Sequence, residues 1–332
     1  MVYTLRFDMR APSHGATPAE LYAAALEICT WADRHDVASV SLCEHHMSPD
    51  GYLPSPLIMA AAIAARTERL PITIAIFQLP LYSPVRLAEE MCVLDIISKG
   101  RVTFYGAIGY VPYEYAMHGV DFHRRGAIAE EYLPLVLKAI TGEPFEYEGR
   151  RIQVTPPPFT PGGPRLGWGG ASNAAAKRAG KYGVDFLAQS GDPARREVYE
   201  EAARHHGRTP GRYSQPQAGN AAVVFVADDL DAAWAELGPY LLHDVRSYAA
   251  WNEHNRDGYS ISFTTTADEL RAENRSHRIL TVEQAVAHVR AGASLPLHPL
   301  IGGLPPQIAW RYLETVAERV LPALKHGALC KT

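Results

Sequence analysis

A chain of 332 residues with 47% hydrophobic and 20% charged side chains carries enough apolar material for a large core, and its length suits a single α/β barrel. The formal net charge of -4 gives no electrostatic reason to expect nucleic acid or an anionic membrane as partner, and no apolar stretch reaches bilayer-spanning length. Cys29, Cys43, Cys92 and Cys330 are scattered without a CxxC pair and read as free thiols, and the chain opens without a basic and apolar leader, so it is expected in the cytoplasm.

In chain order, strands are expected at 4–10, 38–44, 71–79, 101–109, 165–169, 185–190, 221–227 and 295–301. Helical patterns lie between and after them at roughly 18–34, 55–66, 84–98, 124–141, 172–182, 193–206, 229–241 and 305–325. Thr17-Pro18 with Glu20, Ser83-Pro84 and Asp192-Pro193 each read as a cap followed by proline at the first helical position. Eight alternating units argue for an α/β fold of the (β/α)8 TIM-barrel type, treated as one domain over 1–332, with an open doubly wound sheet as the alternative. Two stretches break the rhythm. Residues 143–160 alternate with period two around Glu148-Gly149, a small hairpin before strand five. Residues 242–281, between strands seven and eight, form a long polar insertion of the kind that is either a lid over a site or disordered.

The run CEHHMSPDGY, 43–52, raises the chemical question, because Glu44, His45 and His46 stand together after an apolar strand. Neighbours on a strand point to opposite faces, so His45 and His46 are poorly placed to chelate one ion, and no HExxH occurs. No metal is expected. A pair of satisfied polar residues at a strand end is the plain alternative. In a β/α barrel, however, strand C-termini form the active-site face, where Glu44 could orient one imidazole nitrogen and leave the other to meet substrate.

Other strand ends frame a pocket. The third strand ends in the uncharged IAIFQLP, 74–80; the fourth leads into YGAIGYVPYEY, 105–115, where Gly106 and Gly109 allow close backbone approach of a flat ligand. After the fifth, WGGASNAAAKRAG, 168–180, runs two glycines into a helix whose first turn holds Ser172 and Asn173. Such a start can bind phosphate, or can be only a tight turn. No GxGxxG fingerprint marks a resident nicotinamide nucleotide.

EHH after strand two, LPLYSPVRLAEEMCVLDIISKGRV at 79–102, the stretch from Gly109 through Glu114 and HGVD to Arg124, and GGLPPQIAWRYLETVAERVLPAL at 302–324 together resemble the bacterial luciferase-like monooxygenases. Within the 79–102 block, Glu89, Asp95 and Arg101 read as structural ion-pair partners. The resemblance implies a barrel binding reduced FMN, or the deazaflavin F420, with His45 catalytic and Glu44 its neighbour near the flavin ring. It places Ala75-Ile76 where a non-proline cis peptide packs under the isoalloxazine. It assigns Gly169, Gly170, Ala171, Ser172 and Asn173 to the phosphate loop. Ile108, Gly109 and Ser190 complete the expected cofactor contacts, and Tyr110 and His298 are candidate substrate contacts. Ile108 stands where luciferases proper carry a phosphate-binding arginine, and Ala107 where they carry a cysteine, which argues against light emission and leaves the phosphate to backbone and Ser172.

The implied reaction takes reduced FMN from a separate NAD(P)H:flavin reductase, and O2, to hydroxylate a small organic substrate or insert oxygen in a Baeyer-Villiger manner. Hydride transfer with F420, its acidic tail met by Lys177 and Arg178, is the first rival. A non-catalytic flavin-binding paralogue is the second. A homodimer is expected, in which the small-residue helix at 59–66 could pack on its copy; a core helix packed on its own barrel is the alternative reading of the same residues.

Overall fold

The structure is a computed structural model, which describes residues 3–35, 37–217, 219–253 and 261–326. The chain begins β1 (Tyr3–Phe7), α1 (Pro18–Ala32), β2 (Val40–Leu42), α2 (Pro56–Arg66), β3 (Ile72–Gln78), α3 (Pro84–Ser98) and β4 (Val102–Ala107). A short α4 (Pro112–Met117), α5 (Arg125–Ala139) and the hairpin β5 (Phe145–Tyr147)–β6 (Arg150–Ile152) follow. Then come β7 (Arg165–Gly170), α6 (Asn173–Tyr182), β8 (Asp185–Ala188), α7 (Ala194–His205), β9 (Tyr213–Ser214) and β10 (Val223–Val226). The chain continues through α8 (Leu230–Trp251), α9 (Ala267–Glu273), β11 (His277–Leu280), α10 (Val282–Arg290), β12 (Leu295–Leu297), α11 (Pro306–Thr315) and α12 (Leu321–His326).

Two compact units result, one drawn from Met1–Ser41, Ser48–Tyr52 and Gln217–Thr332, the other from Leu42–Met47 and Leu53–Pro216. In the first, β1 pairs parallel with β12, Tyr3 opposite Leu295 and Leu5 opposite Leu297. Tyr3, Leu5 and Phe7 are fully buried while Thr4 and Arg6 are less so, the period-two signature of a strand with one deeper face. β10 pairs parallel with β11, and all four of its residues, Val223 to Val226, are buried. An enclosed parallel strand reads as a continuous apolar run for that reason. In the second unit β3, β4, β7, β8 and β9 lie side by side, all parallel. Their ends, at Gln78, Ala107, Gly170 and Ala188, deliver the loops that build the candidate site.

The α/β class and its strand–helix alternation are as read from the sequence. The hairpin turns at Glu148 and Gly149, both with positive φ, as the period-two pattern predicted. Thr17 and Glu20 close a full capping box on α1. Ser83 makes no side-chain cap, and Pro193 is itself the cap residue of α7 while Asp192 Oδ1 accepts from Ala194 N–H. Several strands stop two to four residues short of the expected C-terminus, where Met9 and Gly109 take positive φ and turn the chain away.

The polar stretch 242–281 is not one loop. Its first ten residues continue α8, whose Asp244 and Val245 are buried, and α9 and β11 occupy 267–280, while 254–260 lie outside the described residues. The insertion thus carries secondary structure of its own. Arg101 and Asp95 hold backbone in place: Arg101 donates to the carbonyls of Ala64, Thr67, Leu70 and Ser98, and Asp95 accepts from Thr160 N–H and Oγ1. Glu89 forms an exposed pair with Arg86.

Candidate active site

β2 ends at Leu42, and the segment after it is irregular, so Glu44, His45 and His46 are freed from the alternation of a strand. All three are buried. Their partners differ from those expected. His45 Nδ1 bonds Glu114 Oε1 at 2.8 Å, and its Nε2 faces the Tyr110 hydroxyl at 3.4 Å. Glu44 Oε1 instead bonds His46 Nε2 at 2.7 Å, while its Oε2 accepts from the Tyr82 hydroxyl at 2.8 Å and Gln78 N–H at 3.3 Å. Glu114 also accepts from His46 N–H at 2.9 Å and Gln78 Nε2 at 2.8 Å. Two carboxylates thus serve two adjacent imidazoles, and the residue that orients His45 is Glu114. The carboxylate on the His45 ring arrives from α4, while Glu44 turns to the ring two residues on. The sequence signal was the glutamate five residues after Gly109.

Electrostatics follow from this pairing. Burial opposes the charged form of Glu114, but the His45 hydrogen bond and charge, the His46 N–H and Gln78 outweigh it, and the carboxyl is held below its ordinary range. Burial likewise opposes protonation of His46; the hydrogen bond and charge of Glu44, with Glu114 behind, raise it above an ordinary histidine. Burial and the nearby Glu44 carboxylate push the Tyr82 phenol well up, so it remains a donor.

The expected cofactor residues of β3, β4 and β7 converge. The Ala75-Ile76 peptide is cis. Cys43 Sγ donates to Ala75 O at 3.0 Å, and the Ile76 side chain packs so closely on Gly169 that a Cβ there would stand 2.8 Å from Ile76 Cγ2. Gly109 has φ +65°, and a Cβ would meet Gln78 Oε1 at 1.9 Å, so only glycine lets Gln78 reach Glu114. Ile108 contributes its carbonyl to the Tyr115 hydroxyl. Gly170, at the end of β7, would carry a Cβ 2.6 Å from that of Ala175. Ser172 caps α6, its Oγ accepting from Ala175 N–H at 3.2 Å; Ala171 is half-buried beside it, and Asn173 is exposed.

Ser190, beyond β8, has a buried Oγ without a hydrogen-bond partner, and Gln189 N–H donates to Gly170 O, which ties the two strand ends together. Arg195, in the first turn of α7, donates to Asn173 Oδ1 and keeps a buried Nε with no acceptor. Orphaned donors beside a glycine-rich helix start fit a phosphate group. Arg195 was missed in the sequence, where DPARREV reads only as a helix start. It supplies a cation beside the loop that Ile108 does not. Arg178 is engaged elsewhere, by Glu130 at 2.7 Å and Gly126 O, over the Trp168 ring.

His298 belongs to the other unit. It is fully buried with Nε2 3.5 Å from Asp8 Oδ1, and neither ring nitrogen completes a hydrogen bond, so the substrate contact expected of it has no exposed edge to use. Asp8, Asp244 and His298 bring their ligand atoms within 4.8 Å of one another, but Arg10 Nε stands 3.5 Å from Asp8 Oδ2. That guanidinium already fills the role a bound cation would play.

The profile of the luciferase-like monooxygenases matches residues 3–296, and the chain belongs to that family. It is 27% identical over 179 residues to the alkanal monooxygenase alpha chain of Photorhabdus luminescens, covering 51% of this chain and 50% of that one. The chain spans about half the length, or less, of the curated relatives it matches first. Its fold is similar to that of monooxygenase RslO1 from Streptomyces bottropensis, with TM-score 0.77 and 20% identity over 97% of this chain and 99% of that one. It also resembles the oxygenating constituent of 3,6-diketocamphane monooxygenase from Pseudomonas putida, a type II Baeyer-Villiger enzyme solved with FMN, at TM-score 0.69 and 21% identity over 97% and 98% of the two chains.

Proposed function

We propose that this chain is a flavin-dependent monooxygenase that takes reduced FMN and O2 and oxygenates a small organic substrate, with the whole of 1–332 acting as one luciferase-like domain. The observation that carries the reading is the Glu114–His45 pair: a buried carboxylate fixes one imidazole nitrogen and directs the other toward Tyr110. That is the arrangement a positioned acid–base histidine requires. When bound, reduced flavin supplies the electrons that activate oxygen. Ala75, Ile76 and Gly109 would border its ring, and Gly169, Gly170, Ser172, Ser190 and Arg195 would hold its phosphate. His45 would hold or move the proton at Nε2, and Tyr110 would meet the substrate.

The engagement of Arg178 by Glu130 leaves the acidic tail of F420 poorly served and favours FMN. A separate NAD(P)H:flavin reductase would supply the reduced cofactor. A homodimer is part of the reading, although the support differs from that expected: Met59, Ala60, Ile63 and Ala64 are buried within the chain. Ile58 on α2 and Val93, Ile96 and Ile97 on α3 are among the exposed apolar residues, beside a groove of about 520 Å³. Light scattering of Ile58→Glu should show a monomer where the wild type is a dimer.

The function is tested by titrating FMNH2 and reduced F420 separately, then measuring oxygen uptake and product with ketones, aldehydes and polyketide-like aromatics. Substrate-dependent product with FMNH2 is expected. Hydride transfer with F420, or flavin binding without any turnover, would refute the proposal.

A further inference from the structure

Glu114 lies within α4 and His118 caps its C-terminus four residues on; Glu114 reaches His45, and the His118 ring lies against His46. The His118 ring is exposed and meets the buried His46 ring edge-on, centroids 4.6 Å apart and planes at 74°. The His46 Nε2 is taken by Glu44, and Glu44 is enclosed by the Tyr82 hydroxyl and the Gln78 N–H. The His46 ring is little exposed, and the exposed His118 is a titratable ring lying against it. The acid–base role of His45 uses neither the His46 ring nor His118.

We propose that His118 is the solvent-side proton carrier of the buried Glu44–His46 pair. In the inward step, the exposed His118 ring turns to bring a protonated nitrogen to His46 Nδ1, the nitrogen that Glu44 does not engage, and gives it one ring proton. His118 becomes neutral and recovers a proton from water. His46 becomes an imidazolium facing the Glu44 and Glu114 carboxylates. Only N–H bonds are made and broken, and the reverse step exports one proton. The groups acting on His118 favour the inward direction: burial and the His46 charge lower its proton affinity, partly offset by Glu44 and Glu114. His46 is raised by the same two carboxylates against its burial. The proposed function matters here only for where the proton is used.

The test uses the full-length, ligand-free chain with 15N-labelled histidine and reads exchange of the His46 Nδ1–H with water by NMR. His118→Gln should slow that exchange at least about tenfold, in line with the contribution of a positioned acid–base group, and added imidazole should restore it. His118→Phe keeps a ring against His46 without a proton and should behave as His118→Gln does. Unchanged exchange in either variant would overturn the proposal. Slowed exchange that imidazole does not rescue would also overturn it, by showing that His118 only packs. Because no flavin is present, the outcome stands apart from whether the chain oxygenates anything.

Discussion

Glu114 Oε1 stands 2.8 Å from His45 Nδ1 and 2.9 Å from the His46 backbone N–H, so one carboxylate oxygen fixes both the ring and the chain that carries it. The pairing separates two adjacent histidines onto two carboxylates, Glu114 for His45 and Glu44 for His46. Each imidazole therefore has its own electrostatic setting.

Glu114→Gln keeps the shape of this anchor and removes its charge. Turnover is expected to fall by about 10–100-fold, the usual cost of losing a charged orienting hydrogen bond of about 1.5–3 kcal/mol. Flavin affinity should stay within about twofold. Steady-state oxygen uptake beside a flavin titration checks both.

Gly109→Ala is expected to disturb the same anchor from outside. A Cβ at 1.9 Å from Gln78 Oε1, on a residue with φ +65°, must displace Gln78 from Glu114. Overpacking and backbone strain together should cost about 1–3 kcal/mol of stability. Urea unfolding reads this directly, and a wild-type midpoint would place Gln78 elsewhere in solution.

Flavin binding separates the phosphate loop from the ring site. Arg195→Ala should weaken FMN by about 10–100-fold, from about 1.5–3 kcal/mol for a charged hydrogen bond, and leave riboflavin, which lacks the phosphate, nearly unchanged. Gly170→Asp should weaken FMN more strongly, because a carboxylate there repels the phosphate and obstructs the helix start. Calorimetric titration with the two flavins checks the difference; equal losses for both would move the phosphate away from this loop.

Much of this was legible in the sequence. Strong periodicity and Thr17-Pro18-Ala-Glu gave α1 almost to the residue, and Glu148-Gly149 gave the hairpin turn. The cis peptide at Ala75-Ile76 came only from the family resemblance, not from periodicity or spacing. The sequence points to Glu44 as the orienting carboxylate and not to Glu114, because Glu114 lies 69 residues away and its role depends on the register of α4 against the segment after β2. Arg195 was hidden in an ordinary charged helix start. Residues 242–251 read as loop because α8 buries one narrow face and shows polar residues on the others.

The same pairings predict how stability varies with pH. His46 holds its proton more tightly folded than at its ordinary value of 6.5, so its pairing with Glu44 stabilises fully below about pH 6.5 and is lost as pH rises through the raised folded value. Glu114 is lowered from 4.5, so its contribution is present above that pH and lost as pH falls through the folded value. The stability gap between wild type and His46→Asn should therefore shrink above pH 6.5, and that between wild type and Glu114→Gln should shrink below pH 4.5. Chemical denaturation across this range checks both slopes, and a flat gap in either case would contradict the assigned pairing.

The most direct test of the central claim is product formation by His45→Ala with the productive substrate, measured beside reduced-flavin affinity. A positioned acid–base group contributes about 10²–10⁴-fold, so product formation should fall by that order while the fold and flavin affinity stay nearly intact. Hydrogen peroxide released per flavin oxidised should rise, because oxygen is still consumed without coupled oxygenation. Turnover within about twofold of wild type would contradict the claim that His45 carries the proton. Loss of flavin binding instead would assign His45 a structural role.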